Sequence, residues 1–131
     1  MTETDQELLK LAAKAVGVSL NPMEIKNVNF QGDDRFIGFL AEVEKWPKGW
    51  FSPLTDDGDA LRLAVRLGIE SRKPSRARSV GTVVQAWYPP DGNPNRSACV
   101  HVSEHVRNGD RLEATRRAIV RAAAEIGRAM P

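Results

Sequence analysis

Cys99, His101 and His105 are the residues whose types and spacing come nearest to a reactive or metal-binding centre. On an extended segment residues i and i+2 point to the same side, which puts Cys99 beside His101. A thiol beside an imidazole is the beginning of a nucleophilic pair, and both groups are zinc ligands. A structural zinc site, however, normally takes four protein ligands, and these spacings follow no zinc-site pattern. No catalytic signature surrounds Cys99. The expectation is a strand cysteine and two ordinary histidines, with no metal and no cofactor. A single cysteine makes no internal disulfide and suits a reducing compartment.

Carboxylates cluster at Asp33-Asp34 and at Asp56-Asp57-Gly58-Asp59. Paired acids can exchange protons or hold a hard cation. The second cluster lacks the length and closing glutamate of a calcium loop, so it reads as a helix cap, and the first reads as a turn. No Gly-x-Gly-x-x-Gly, phosphate loop or Gly-x-Ser-x-Gly occurs in the chain, which leaves no motif-based argument for catalysis. Two groups remain as candidate binding residues. Arg72, Lys73, Arg76 and Arg78 place four cations on one short link, where they could grip phosphates of a nucleic acid, with Arg117, Arg121 and Arg128 extending the patch. Trp46, Trp50 and Phe51 stand in a Pro/Gly-rich loop and, if exposed, would form an aromatic surface for a protein partner.

The elements that must position these residues follow from periodicity. Thr4 and Glu7 have capping-box spacing, Leu8, Leu11, Ala12 and Ala15 share one helical face, and Gly17 suits a left-handed stop. This predicts a helix over residues 5–16. Residues 18–45 read as a hairpin about the turn 31–34, with a helix over 35–45 as the alternative. Pro47 and Pro53 lack amide hydrogens, so regular pairing is not expected through the loop 46–55, which folds back to bury at least one tryptophan. A second helix over 57–67 carries Leu61, Ala64 and Val65 beside Ala60, Leu63 and Leu67, so most of its circumference should be buried; Gly68 ends it. Residues 69–102 read as a three-stranded antiparallel sheet with strands near 69–72, 80–88 and 97–102. A third helix over 111–129 is capped by Asp110 and Glu113, with Leu112, Ile119, Ala123, Ile126 and Met130 on one face.

The chain is 131 residues long, 41% hydrophobic and 27% charged, which suits one globular domain over residues 1–131 and excludes a wholly disordered chain. No apolar run has membrane-spanning length, and no signal-like segment opens the sequence. The net charge of +2 hides an asymmetry: residues 1–60 hold 6 Lys/Arg against 11 Asp/Glu, and residues 61–131 hold 13 against 6. Such a chain can form a homo-oligomer, present a positive face to a polyanion, or neutralise itself within one fold. Self-neutralisation is the expectation.

The stretch WFSPLTDDGDALRLAVRL at Trp50–Leu67, the segment EATRRAIVRAAAEIGRAM at Glu113–Met130 and the helix-to-glycine segment Ala12–Gly17 resemble a family of small phage and prophage proteins, the phage ABA sandwich domain family. The resemblance implies a phage or prophage origin, a bacterial cytoplasm and a sandwich of helices on a sheet; it supplies no catalytic residue or cofactor. The fold expected is thus α+β, with three main helices packed on a small, mostly antiparallel sheet. The function expected first is a non-enzymatic accessory protein that binds a phage or host protein. A nucleic-acid binder using residues 72–78 is the alternative, and a small enzyme using Cys99 with His101, or the acids of 56–59, comes third.

Overall fold

The computed structural model describes residues 4–28, 34–42, 44–46, 49–72, 81–88, 98–106 and 109–130. The element order is α1 (Asp5–Val16), β1 (Leu20–Val28), β2 (Asp34–Ala41), β3 (Trp50–Phe51), α2 (Asp57–Leu67), β4 (Glu70–Arg72), β5 (Gly81–Tyr88), β6 (Ala98–His105) and α3 (Arg111–Ala129). The fold is α+β.

Each helix begins and ends where its sequence places the signals. Thr4 Oγ1 accepts from the Glu7 amide at 3.2 Å, and the Glu7 carboxylate accepts from the Thr4 amide at 3.1 Å, completing the capping box. Asp56 accepts from the Gly58 amide and Asp110 from the Glu113 amide, so α2 and α3 also start on a carboxylate. Gly17 and Gly68 take φ of 79° and 67°, where a side chain would be strained. After each, the next residue turns inward: Val18 donates to Ala13 O and Ile69 to Ala64 O, and both side chains are buried.

The strands form two antiparallel sheets of three, in the orders β1-β2-β3 and β4-β5-β6. β1 and β2 pair antiparallel as the strands of the hairpin expected over residues 18–45, and Asp34–Ala41 is a strand rather than part of a helix over 35–45; of the expected turn 31–34, residues 31–33 lie outside the described residues. β4, β5 and β6 form the sheet expected over residues 69–102, with β6 continuing to His105. The loop 46–55 departs from expectation. Between its two prolines, Trp50 and Phe51 pair with Leu40 and Phe39 to add β3 to the hairpin. Neither residue is a proline, so both keep the amide that pairing needs.

α3 is the central element. It packs on β5 and β6, on α1 and on α2. Its buried residues run round the helix and are mostly small: Ala114, Ala118, Ile119, Val120, Ala122, Ala123, Ala124, Ile126 and Gly127. Small side chains let several elements approach one helix closely. At Gly127 the approach reaches its limit, because a Cβ there would lie 2.0 Å from the Leu11 carbonyl oxygen of α1. α1 buries Leu8, Leu9, Ala12 and Ala13, with Leu11 and Ala15 at the margin.

Two packing expectations are corrected. α2 buries only Asp59, Ala60, Leu63, Ala64 and Leu67, leaving Leu61 65% and Val65 72% exposed. The structure covers one side of α2, where the sequence pattern offers apolar residues for a wider contact. Leu112 is 62% exposed rather than joined to Ile119 and Ile126 in the core; in the first turn of α3 the buried side is that of Ala114.

Candidate functional site

The segment leading into α2 is built around one buried carboxylate. Asp59 is 1% exposed; its Oδ2 accepts from the Ser52 amide at 2.9 Å and the Ser52 hydroxyl at 3.2 Å, and its Oδ1 accepts from Arg62 at 3.1 Å. A buried acid needs such partners to offset its lost hydration. Asp56 caps the helix, and Asp57 pairs with Arg116 at 2.7 Å. The three acids proposed for proton chemistry or cation binding are thus engaged in holding the loop, α2 and α3 together.

The aromatic surface expected at Trp46, Trp50 and Phe51 is not at the surface. Trp46 and Phe51 are fully buried and meet edge to face, with ring centroids 4.9 Å apart; Trp50 is half-buried in β3. The physical reason is the cover that α2 provides. Arg62 and Arg66, one turn apart, lie over the Trp46 ring at 5.4 and 5.0 Å, and Arg66 also donates to the Lys45 carbonyl at 2.7 Å. The Trp46 indole N–H is buried with no hydrogen-bond partner among the described residues.

The arginines of α3 do not form a free patch either. Arg117 pairs with Asp5 at 3.1 Å, Arg121 with Glu104 and the Ser103 carbonyl, and Arg128 with Glu125. Arg116 donates to the Leu54 carbonyl at 2.9 Å as well as to Asp57. Two of these contacts, Arg116–Asp57 and Arg117–Asp5, join the basic second half of the chain to its acidic first half. Of the basic link, Arg72 ends β4 opposite Val83, while Lys73, Arg76 and Arg78 lie outside the described residues.

Cys99 pairs with Trp87 and His101 with Gln85 along the β5–β6 ladder, and His101 and His105 are exposed. Among the described residues no three His, Cys, Asp or Glu side chains come together to hold a metal ion. Glu104, His105, Glu113 and Arg117 border a dent of about 10 Å³, room for one water. A shallow cleft of about 430 Å³ lies along Ser19, Leu20, Leu40, Ala41, Glu42 and Gly49, and it offers one carboxylate and no nucleophilic pair.

What remains distinctive is apolar. Leu61, Val65 and Leu112 are the exposed large hydrophobic side chains among the described residues. Val65 is one turn beyond Leu61 on α2, so the two form a short apolar row, with Asp57 one turn before it. Asp57 holds Arg116, and Leu112 is one turn before Arg116 on α3, so the Asp57–Arg116 ion pair stands between the row and Leu112. Sequence reasoning counted these side chains as core; the signal that finds them is the apolar circumference of α2, wider than one buried face requires. None of the described helices is long and apolar enough to cross a membrane. In comparisons with protein-family models, with curated proteins and with solved structures, nothing matches this chain.

Proposed function

We propose that the protein is a non-enzymatic interaction module that docks another protein on the exposed apolar side chains Leu61, Val65 and Leu112. The observation that carries this reading is the exposed row of Leu61 and Val65, one turn apart on α2, with Leu112 exposed on α3, the helix packed against it. Single exposed apolar side chains need no explanation, but a stacked pair on one helix face offers a contact surface. The candidate chemical groups support the same reading, because Asp56, Asp57 and Asp59 are engaged in capping, pairing and burial. The sequence resemblance adds a phage or prophage accessory role in a bacterial cytoplasm to the proposal, with a phage or host protein as the partner.

The experiment compares immobilised wild-type protein with a Leu61→Ser, Val65→Ser, Leu112→Ser variant in bacterial lysate with and without nuclease treatment. The reading expects a protein retained by the wild type after nuclease treatment and lost with the variant. Identical retention by both proteins overturns it. Retention that disappears on nuclease treatment overturns it in favour of a nucleic-acid contact.

A further inference from the structure

Resting on that reading, we infer that the partner presents an acidic amphipathic helix to α2. Leu61 and Val65 are exposed and spaced by one helical turn. A row of apolar side chains at this spacing is matched by residues i, i+3 or i+4 and i+7 of a second helix. The charge beside the row decides which helix fits. Arg62 and Arg66 each follow one residue after Leu61 and Val65, so both side chains leave α2 on the same flank of the row. Their orientation is fixed in the isolated protein by the Trp46 ring beneath them, by Asp59 on Arg62 and by the Lys45 carbonyl on Arg66. A cation held in place before binding loses less freedom when a carboxylate arrives. Asp59, the acid paired with Arg62, is 1% exposed, so an arriving helix meets the arginines rather than their carboxylate. The Arg66 contacts found among the described residues are a carbonyl and an aromatic ring, leaving guanidinium N–H groups for a carboxylate.

A second copy of the chain fits less well. If two α2 helices met antiparallel, with Leu61 of each against Val65 of the other, Arg62 and Arg66 would face the same two cations of the neighbour. Like charges across a contact select against that pairing, whereas glutamates or aspartates along one flank of the incoming helix satisfy it.

The test uses the intact protein and two labelled synthetic helices, each about four turns long, with leucines on one face. One carries glutamates on its polar flank and the other lysines. Fluorescence anisotropy is read at low and moderate salt. The inference expects the acidic helix to bind wild-type protein and to weaken as salt rises, with the basic helix at least about tenfold weaker. It also expects the Leu61→Ser, Val65→Ser variant, whose changed side chains are already in water, to lose at least about tenfold in affinity while melting like the wild type. No binding of either helix, equal binding of both, or full binding by the variant overturns the inference. A dimer in sedimentation that the same variant abolishes overturns it in favour of a second copy. Any of these outcomes is separable from failure of the parent reading, which is read from retention in lysate.

Discussion

Replacing Gly127 by alanine is expected to destabilise the fold, although the same change within an exposed helix would stabilise it. Alanine is favoured over glycine in helix interiors by about 1 kcal/mol, so propensity alone predicts a gain at this position in α3. The tertiary contact opposes it. The new Cβ would stand 2.0 Å from the Leu11 carbonyl oxygen, 2.9 Å from its carbonyl carbon and 3.4 Å from the Ala15 amide nitrogen. The first of these is more than an ångström inside ordinary contact, and the obstructing atoms are backbone, so no rotamer change relieves it. α1 and α3 must part along the contact that buries Leu8, Ala12, Ala123 and Ile126. Overpacking of this kind costs about 1–3 kcal/mol, and obstruction by backbone places the cost at or above the upper end. After the propensity gain, the net loss is roughly 2 kcal/mol, or about 5–10 °C in Tm for a domain of this size. Denaturant unfolding with an unchanged m-value measures it. Gly58 is the internal control. It is exposed in the first turn of α2, and a Cβ there meets only Asp56 Oδ1, at 3.6 Å. Gly58→Ala is expected to be neutral or stabilising by up to about 1 kcal/mol. Unchanged or raised stability in Gly127→Ala would refute the close approach of α1 and α3.

Three further outcomes follow from the contacts. Asp59→Ala removes the acceptor for the Ser52 amide and hydroxyl and the carboxylate on Arg62; the expected loss is about 3–5 kcal/mol by chemical denaturation, and a loss below about 1 kcal/mol would contradict the buried role. Thr4→Ala breaks the capping box of α1 and is expected to cost about 1 kcal/mol, visible as a lowered melting temperature and faster amide exchange in the first turn of α1. Leu61→Ser with Val65→Ser is expected to change stability by no more than about 0.5 kcal/mol, because both side chains are already exposed; a large loss would mean that they belong to the core.

The helices were fully legible because their signals are local. The Thr4–Glu7 box, the Asp110–Glu113 cap and the glycines at 17 and 68 act within one turn of the residues they terminate. The β5–β6 pairing is legible for a similar reason, as two runs of strand-forming residues near 80–88 and 97–102. What the sequence obscured depends on contacts distant along the chain. Leu61 and Ala64 are equally apolar as types, and only the placement of α3 against one side of α2 decides which is buried. The sequence expects the loop 46–55 to bury a tryptophan, but only the placement of Arg62 and Arg66 over Trp46 shows which one. Arg117 and Arg121 read as part of a free positive face until Asp5 and Glu104 are placed beside them. The candidate site is therefore visible in sequence only as an excess of apolar residues on α2.

Carbene footprinting of Leu61, Val65 and Leu112 tests the central claim most directly, with the purified protein compared against the same protein incubated in bacterial lysate. All three side chains are exposed in the isolated chain and should label strongly there. The account predicts that lysate shields all three while Lys10 and Glu125, which are exposed and on other helices or turns, label equally in both conditions. Equal labelling of Leu61, Val65 and Leu112 with and without lysate would contradict it.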